Sequence, residues 1–119
     1  MHAGEPVEGM DAAAADALRR IDLHHQSGER AACIAALHAL AGGADRPSRL
    51  LQELGLRYTL LGLHAEAERC YARAVAARPD DLSGLYNHAT ALTALGRLDE
   101  AEALLDHVVE RAPGDGDAW

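Results

Sequence analysis

One pattern of residues occurs twice in this chain, with a spacing of 34 residues. Gly62 recurs as Gly96, and Pro79 recurs as Pro113. One further step back from Gly62 meets Gly28, which marks a weaker upstream copy. A fixed period of this size is typical of a chain that folds as stacked, equivalent units. The period therefore predicts an array of repeats.

Each copy is predicted to contain two helices joined by a short turn. In the middle copy Leu51, Leu54 and Tyr58 recur at helical spacing on one face. Gly62 ends this run, since glycine tolerates the positive φ found just past a helix C-terminus. A second periodic run stops at Pro79, because proline has no backbone N–H for the next helical turn. The chain is therefore predicted to be all-α and built from antiparallel helix hairpins.

The two regular copies share an order of bulky, small, aromatic, alanine and proline positions. The residues that occupy this order are Leu51, Leu54, Gly55, Tyr58, Gly62, Ala67, Tyr71, Ala74 and Pro79, then Leu85, Ala89, Leu92, Gly96, Ala101, Leu105, Val108 and Pro113. The order resembles the tetratricopeptide repeat family, whose unit is also 34 residues long. The resemblance implies a right-handed superhelical array of helix hairpins with about three repeats.

Some positions depart from the pattern of this family. His88 stands where Leu54 stands one repeat earlier. The upstream copy keeps Gly28 at its turn, but it has Cys33 at the alanine position and Asp45 at the proline position. A solenoid commonly has an atypical terminal unit, so we interpret the upstream copy as a degenerate terminal repeat.

These assignments divide the chain into a disordered tail over residues 1–10 and a repeat domain over residues 11–119. A glycine-rich loop over residues 42–47 is the expected weak joint of the array. The last regular helix has an apolar face with no following helix to cover it, so we expect the chain to be an amino-terminal fragment of a longer protein. The predicted units are a degenerate repeat at 14–47, regular repeats at 48–81 and 82–115, and the start of a truncated repeat at 116–119.

Charge and hydropathy narrow the classes of partner. The formal net charge is −8, and all eleven basic residues besides histidine are arginines. A net acidic chain without a basic stripe argues against nucleic acid and against an anionic membrane surface as partners. No secretory signal and no long apolar run is present, so a cytoplasmic location is expected.

The residue types that carry chemistry do not form a recognisable site. The seven histidines are scattered, and there is neither an HExxH motif nor a tight cysteine–histidine cluster. Cys33 and Cys70 are interpreted as small buried apolar residues. We therefore predict no catalytic residue, no metal site and no cofactor within these residues.

The resemblance implies that the first helix of each hairpin lines a concave groove. Its exposed rows are polar and mostly uncharged, and their hydroxyls and amides can donate to and accept from a peptide backbone. The corresponding row of the degenerate copy is predicted to hold Leu18, Asp22 and His25. The predicted groove contacts of the regular repeats are Arg49, Gln52, Thr59, Tyr86, Asn87, Thr90 and Thr93.

The sequence therefore predicts a protein–protein interaction module that binds a peptide or protein segment. Binding of a bare terminal carboxylate, as in chaperone-binding members of the family, is disfavoured because the groove offers Arg49 alone among nearby acidic groups. One alternative is the amino-terminal part of a larger bacterial-type enzyme, such as a sulfotransferase or a glycosyltransferase. Another is a small secretion chaperone, and the exposed last helix also predicts self-association.

Overall fold

The computed structural model describes residues 11–43 and 45–111. This part of the chain contains six α-helices and no β-strand, which confirms the predicted all-α fold. The predicted tail, Pro113 and the predicted start of a further repeat lie outside the described residues, and the limits of the repeat units stay a prediction. The helices are α1 (Ala12–Gln26), α2 (Arg30–Ala41), α3 (Ser48–Leu60), α4 (His64–Ala77), α5 (Leu82–Ala94) and α6 (Leu98–Arg111).

The turn inside each of the three hairpins has the same backbone geometry. Gly28, Gly62 and Gly96 have φ values of +76°, +78° and +79°, a left-handed conformation that side chains with a Cβ rarely adopt. The backbone N–H of Leu63 donates to the Tyr58 carbonyl at 2.9 Å, and 34 residues later Arg97 repeats this bond. Such a bond across a left-handed glycine closes the carbonyl end of a helix. The period predicted from the glycines is thus a period of turn geometry.

The closest helix pair is α3 and α4, which pack against each other at Gly55. A Cβ atom added to Gly55 would lie 2.6 Å from the ring of Tyr71, a buried side chain. Ala67 is also fully buried at this contact. The absence of a side chain on Gly55 therefore makes room for the Tyr71 ring, as the small-residue pattern predicts.

The second and third hairpins are joined by a polar pair between α4 and α5. His88 Nε2 lies 2.8 Å from Glu68 Oε2, and both side chains are mostly shielded from solvent. Arg97 contributes a guanidinium nitrogen 3.6 Å from the same carboxylate. The unusual histidine at this leucine position thus has a carboxylate partner on the preceding hairpin. The sequence pattern did not reveal this pair.

The first and second hairpins contact each other less extensively, and polar groups hold much of that joint. Arg57 donates to both carboxylate oxygens of Asp22, at 2.8 and 2.9 Å. Arg73 donates to the carbonyls of Ala41 and Gly43, which secures the end of α2 and the loop after it. The smaller apolar contact agrees with the prediction of a weak joint over residues 42–47.

Both cysteines lie in the core, as their positions on the second helices predict. Cys33 and Cys70 are free and buried. Burial raises the pKa of the Cys70 thiol from 9.0 to about 11, and burial likewise raises the pKa of the Tyr58 hydroxyl to about 12. Their neutral forms are therefore the ones that the folded core accepts.

We expect the protein to lose stability as pH rises from 9 towards 11. The unfolded Cys70 thiol ionises near 9.0 whereas the folded one resists to about 11, so its contribution is complete below pH 9 and is lost above it. Two pH units correspond to about 3 kcal/mol for this one group. Urea unfolding at several pH values would measure the slope, and Cys70→Ala should flatten it. An unchanged slope in this variant would contradict the assignment.

We also expect opposite effects from two glycine-to-alanine substitutions. Gly55→Ala should destabilise the protein by about 1–3 kcal/mol, because the new methyl group overlaps the buried Tyr71 ring. The matched control is Gly84→Ala in α5, where the nearest atoms lie at 3.7 Å or more. It should stabilise by up to about 1 kcal/mol through helix propensity alone. Thermal and urea unfolding would measure both, and equal effects would refute the close packing of α3 on α4.

Candidate functional site

The predicted groove residues lie on α3 and α5, and Asp81 sets where α5 begins. The Asp81 side chain accepts a hydrogen bond from the backbone N–H of Ser83 at 3.1 Å. Such a cap satisfies one of the free N–H groups at a helix start, so α5 begins directly after Asp81. Because Asp81 also follows the end of α4, its carboxylate lies beside the start of α3 in the antiparallel hairpin.

Three polar side chains connect α3 to α5 at this place. Gln52 donates from Nε2 to Asp81 Oδ2 at 2.9 Å, and it accepts at Oε1 from Asn87 Nδ2 at 3.2 Å. The structure therefore brings Gln52 and Asn87 together, although they are 35 residues apart. Their amides are held in a fixed orientation by the fold. Each amide still has unused hydrogen-bonding capacity, because it carries two N–H donors and two acceptor lone pairs.

The three threonines of the predicted site use their hydroxyl hydrogens within their own helices. Thr59 donates to Gly55 at 2.9 Å, Thr90 to Tyr86 at 3.0 Å and Thr93 to Ala89 at 2.9 Å, in each case to the backbone carbonyl. The expectation that these hydroxyls both donate and accept is therefore wrong for this state, because bonding to the preceding turn uses the donor. Their remaining lone pairs can accept hydrogen bonds from a ligand.

Tyr86 is the most prominent exposed side chain of α5. It is 58% exposed, and it lies on the same helix face as Thr90 and Thr93. On α3, the side chains of Leu56 and Leu60 are also exposed. Leu60 was not part of the predicted row, although its spacing of four residues from Leu56 places it on the same side of the helix. The surface therefore combines apolar and polar contacts.

Arg49 lies at the rim of a cavity of about 530 Å³ between the start of α3 and the end of α4. Gln52 lines the same cavity, whereas Thr59, Tyr86, Thr90 and Thr93 do not. The other lining residues are Ser48 and residues 77–81, none of which the sequence analysis selected. They were accessible to prediction, because an antiparallel hairpin returns the end of its second helix to the start of its first.

The charges around this cavity are mixed. Glu53 lies 3.5 Å from Arg49 and 2.7 Å from Arg57, so one carboxylate faces both guanidinium groups. The Arg111 guanidinium, which pairs with Asp80, lowers the pKa of that cavity-lining carboxyl. A bare carboxylate would thus approach both signs of charge. This geometry gives no cationic cradle of the kind that a terminal carboxylate needs.

The predicted row on the degenerate copy is partly wrong. Leu18 does not face a groove but is buried in the core cluster together with Ile21 and Leu37. Burying a leucine side chain stabilises by about 1.5–3 kcal/mol, so α1 turns this residue inward. Asp22 is engaged by Arg57, whereas His25 is exposed. The polar row therefore does not continue from α3 onto α1 in the predicted form.

Two further properties concern the described residues as a whole. Residues 11–43 and 45–111 contain no group of three histidine, cysteine, aspartate or glutamate side chains arranged to hold a metal ion. None of the six helices combines the length and apolar character that crossing a membrane requires.

We expect Gln52→Ala to destabilise the protein by about 1–2 kcal/mol, because it leaves Asp81 and Asn87 without a partner. Arg49→Ala is the matched control on the same helix. It removes only an exposed ion pair, and its effect should be within about 0.5 kcal/mol. Urea unfolding would measure both variants. The double variant Gln52→Ala/Asn87→Ala should cost less than the sum of its single changes, and strict additivity would argue against the bridge.

Comparison with known proteins identifies the repeat. A family model described as tetratricopeptide repeat matches residues 59–119, which is just over half of the chain. No curated protein sequence matches the chain. The match includes all of α4, α5 and α6, the helices that carry the regular pattern of turns and core positions. By this match and by its stacked hairpins, the chain belongs to the tetratricopeptide repeat family.

Proposed function

We propose that this protein is a protein–protein interaction module whose α3–α5 surface binds an extended segment of a partner protein. Catalysis is not part of the proposed role of these residues. The observation that carries the proposal is the position of Tyr86, a largely exposed aromatic side chain on the helix that also presents the fixed Asn87 amide. Its contacts would be Arg49, Gln52, Thr59, Tyr86, Asn87, Thr90 and Thr93, with Leu56 as an additional apolar contact.

The chemistry of the surface suits a peptide backbone. The threonine hydroxyls offer acceptors, which a peptide N–H can fill, and the amides of Gln52 and Asn87 offer both donors and acceptors. Because these two amides are bonded to each other before any ligand arrives, little side-chain entropy is lost when they bind. Tyrosine adds a rigid apolar contact with a polar end, a type of side chain enriched at binding hot spots.

Self-association through α6 and the existence of a longer protein stay predictions. An exposed apolar helix face supports the first of them, since such faces are often interaction surfaces. It is a different surface from the one on α3 and α5. The two can therefore be tested with separate substitutions.

The proposed function is tested with peptides selected by the whole chain from a random peptide library. Binding of the selected peptides would be measured by calorimetry. We expect Tyr86→Ala to weaken it by about tenfold or more, as removal of a hot-spot side chain does. The matched control is Val109→Ala, which removes an exposed apolar side chain from α6 and should leave binding unchanged.

Asn87→Ala is not suited to this test alone, because it also breaks the bond to Gln52. Circular dichroism would show that Tyr86→Ala keeps the helical content and melting temperature of the parent. Peptides that bind Tyr86→Ala and the parent equally well, or no selected peptide at all, would contradict the proposed surface.

A further inference from the structure

The outer face of α6 carries apolar side chains with no partner in the described part of the chain. Leu98 is 60% exposed and Val109 is 59% exposed, and Leu105 between them is also exposed. These residues follow at i, i+7 and i+11, so they form one row along the helix. The opposite side of α6 is occupied, because Ala101 is buried against α5.

The corresponding face of α4 is covered by a helix. Residues 98, 105 and 109 take the positions of residues 64, 71 and 75 one repeat earlier. There α5 lies against α4, with Gly84 close to Val75 and His88 bonded to Glu68. Glu102 is the equivalent of Glu68 on α6. The α6 face therefore has the layout of a surface that receives a helix.

The charge of the α6 face differs from that of α4. A row of four carboxylates runs beside its apolar row, at i, i+3, i+7 and i+11, and no ion pair joins them to another side chain within residues 11–43 and 45–111. Three of these positions are alanines on α4, namely residues 65, 72 and 76. A helix that covers α6 thus meets negative charge where α5 meets methyl groups. The four carboxylates are Asp99, Glu102, Asp106 and Glu110.

The other end of the array shows what a face without this layout looks like. The positions of Leu54 and Tyr58 on α3 are taken by Arg20 and His24 on α1. These polar side chains line a surface groove, whereas Leu54 and Tyr58 are buried under the preceding hairpin. A polar outer face is what terminal units of a solenoid need for solubility. The exposed leucines and valine of α6 are therefore not a general feature of both ends.

We propose that the α6 face, defined by Leu98, Leu105, Val109 and the flanking row of carboxylates, binds a basic amphipathic helix of a partner protein. The apolar row would receive leucine-like side chains, as the α4 face receives α5. The carboxylates would pair with lysine or arginine at the edge of the bound helix, where complementary charge sets specificity and the association rate. A second copy of this chain fits less well, because two such faces would bring eight carboxylates together.

The probe is a synthetic helical peptide with leucines along one face and lysines along both edges, and its control is the same peptide with glutamate in place of lysine. Calorimetry with the whole chain should show that the lysine peptide binds about tenfold more tightly or better, and that salt weakens its binding. The variant Leu98→Ser/Val109→Ser should abolish this binding. Tyr86→Ala should not change it, so this test and that of the α3–α5 surface fail independently.

Because the whole chain is acidic, the charge effect needs its own control. Glu102→Gln/Asp106→Asn removes two charges from the α6 face, whereas Asp16→Asn/Asp45→Asn removes two exposed charges elsewhere. The first variant should weaken binding of the lysine peptide at least about fivefold more than the second.

Three results would overturn the proposal. The first is equal binding of the lysine and glutamate peptides, and the second is equal weakening by the two charge variants. The third comes from sedimentation of the chain alone. A dimer that dissociates in Leu98→Ser/Val109→Ser would assign the α6 face to a second copy of the chain.

Discussion

The packing of the Tyr71 ring against Gly55 brings α3 and α4 into close contact, and the rest of the array depends on this pair. A single hairpin has too little apolar surface of its own to be stable, so neighbouring hairpins must cover its remaining faces. On one side Leu54 and Tyr58 pack into the cluster that also holds Leu37. On the other side α5 covers α4. The central hairpin is thus the only one of the three with a neighbouring hairpin on each side within the described residues.

The sequence predicted the features that depend on local geometry and on the period. The left-handed Gly62 turn, the Asp81 cap and the small residue at Gly55 follow from the demands of a single turn or a single helix pair. The bonds between hairpins were not predictable in this way. Those of Arg57 to Asp22 and of Asn87 to Gln52 depend on how neighbouring hairpins are oriented, and the residue pattern does not encode that orientation directly.

The candidate site shows the same division. Its exposed helix faces follow from helical spacing, so Tyr86 could be identified from the sequence as a surface residue. The state of each polar group could not, because a threonine hydroxyl chooses between a ligand and its own preceding turn. Leu18 shows a further limit, since a position equivalent by the 34-residue period is buried when the residue there is apolar and the neighbouring helix is less extensive. Equivalent positions in a repeat therefore share geometry more reliably than environment.

The most direct test of this account is native-state amide hydrogen exchange of the whole chain. If the central hairpin stabilises the array, the slowest-exchanging amides should lie in α3 and α4, and those of α1, α2 and α6 should open at lower free energy. The first hairpin should form a separate step, because its joint to α3 contains fewer apolar contacts. Slowest exchange in α6 or in α1, or one common opening free energy for all six helices, would contradict the account.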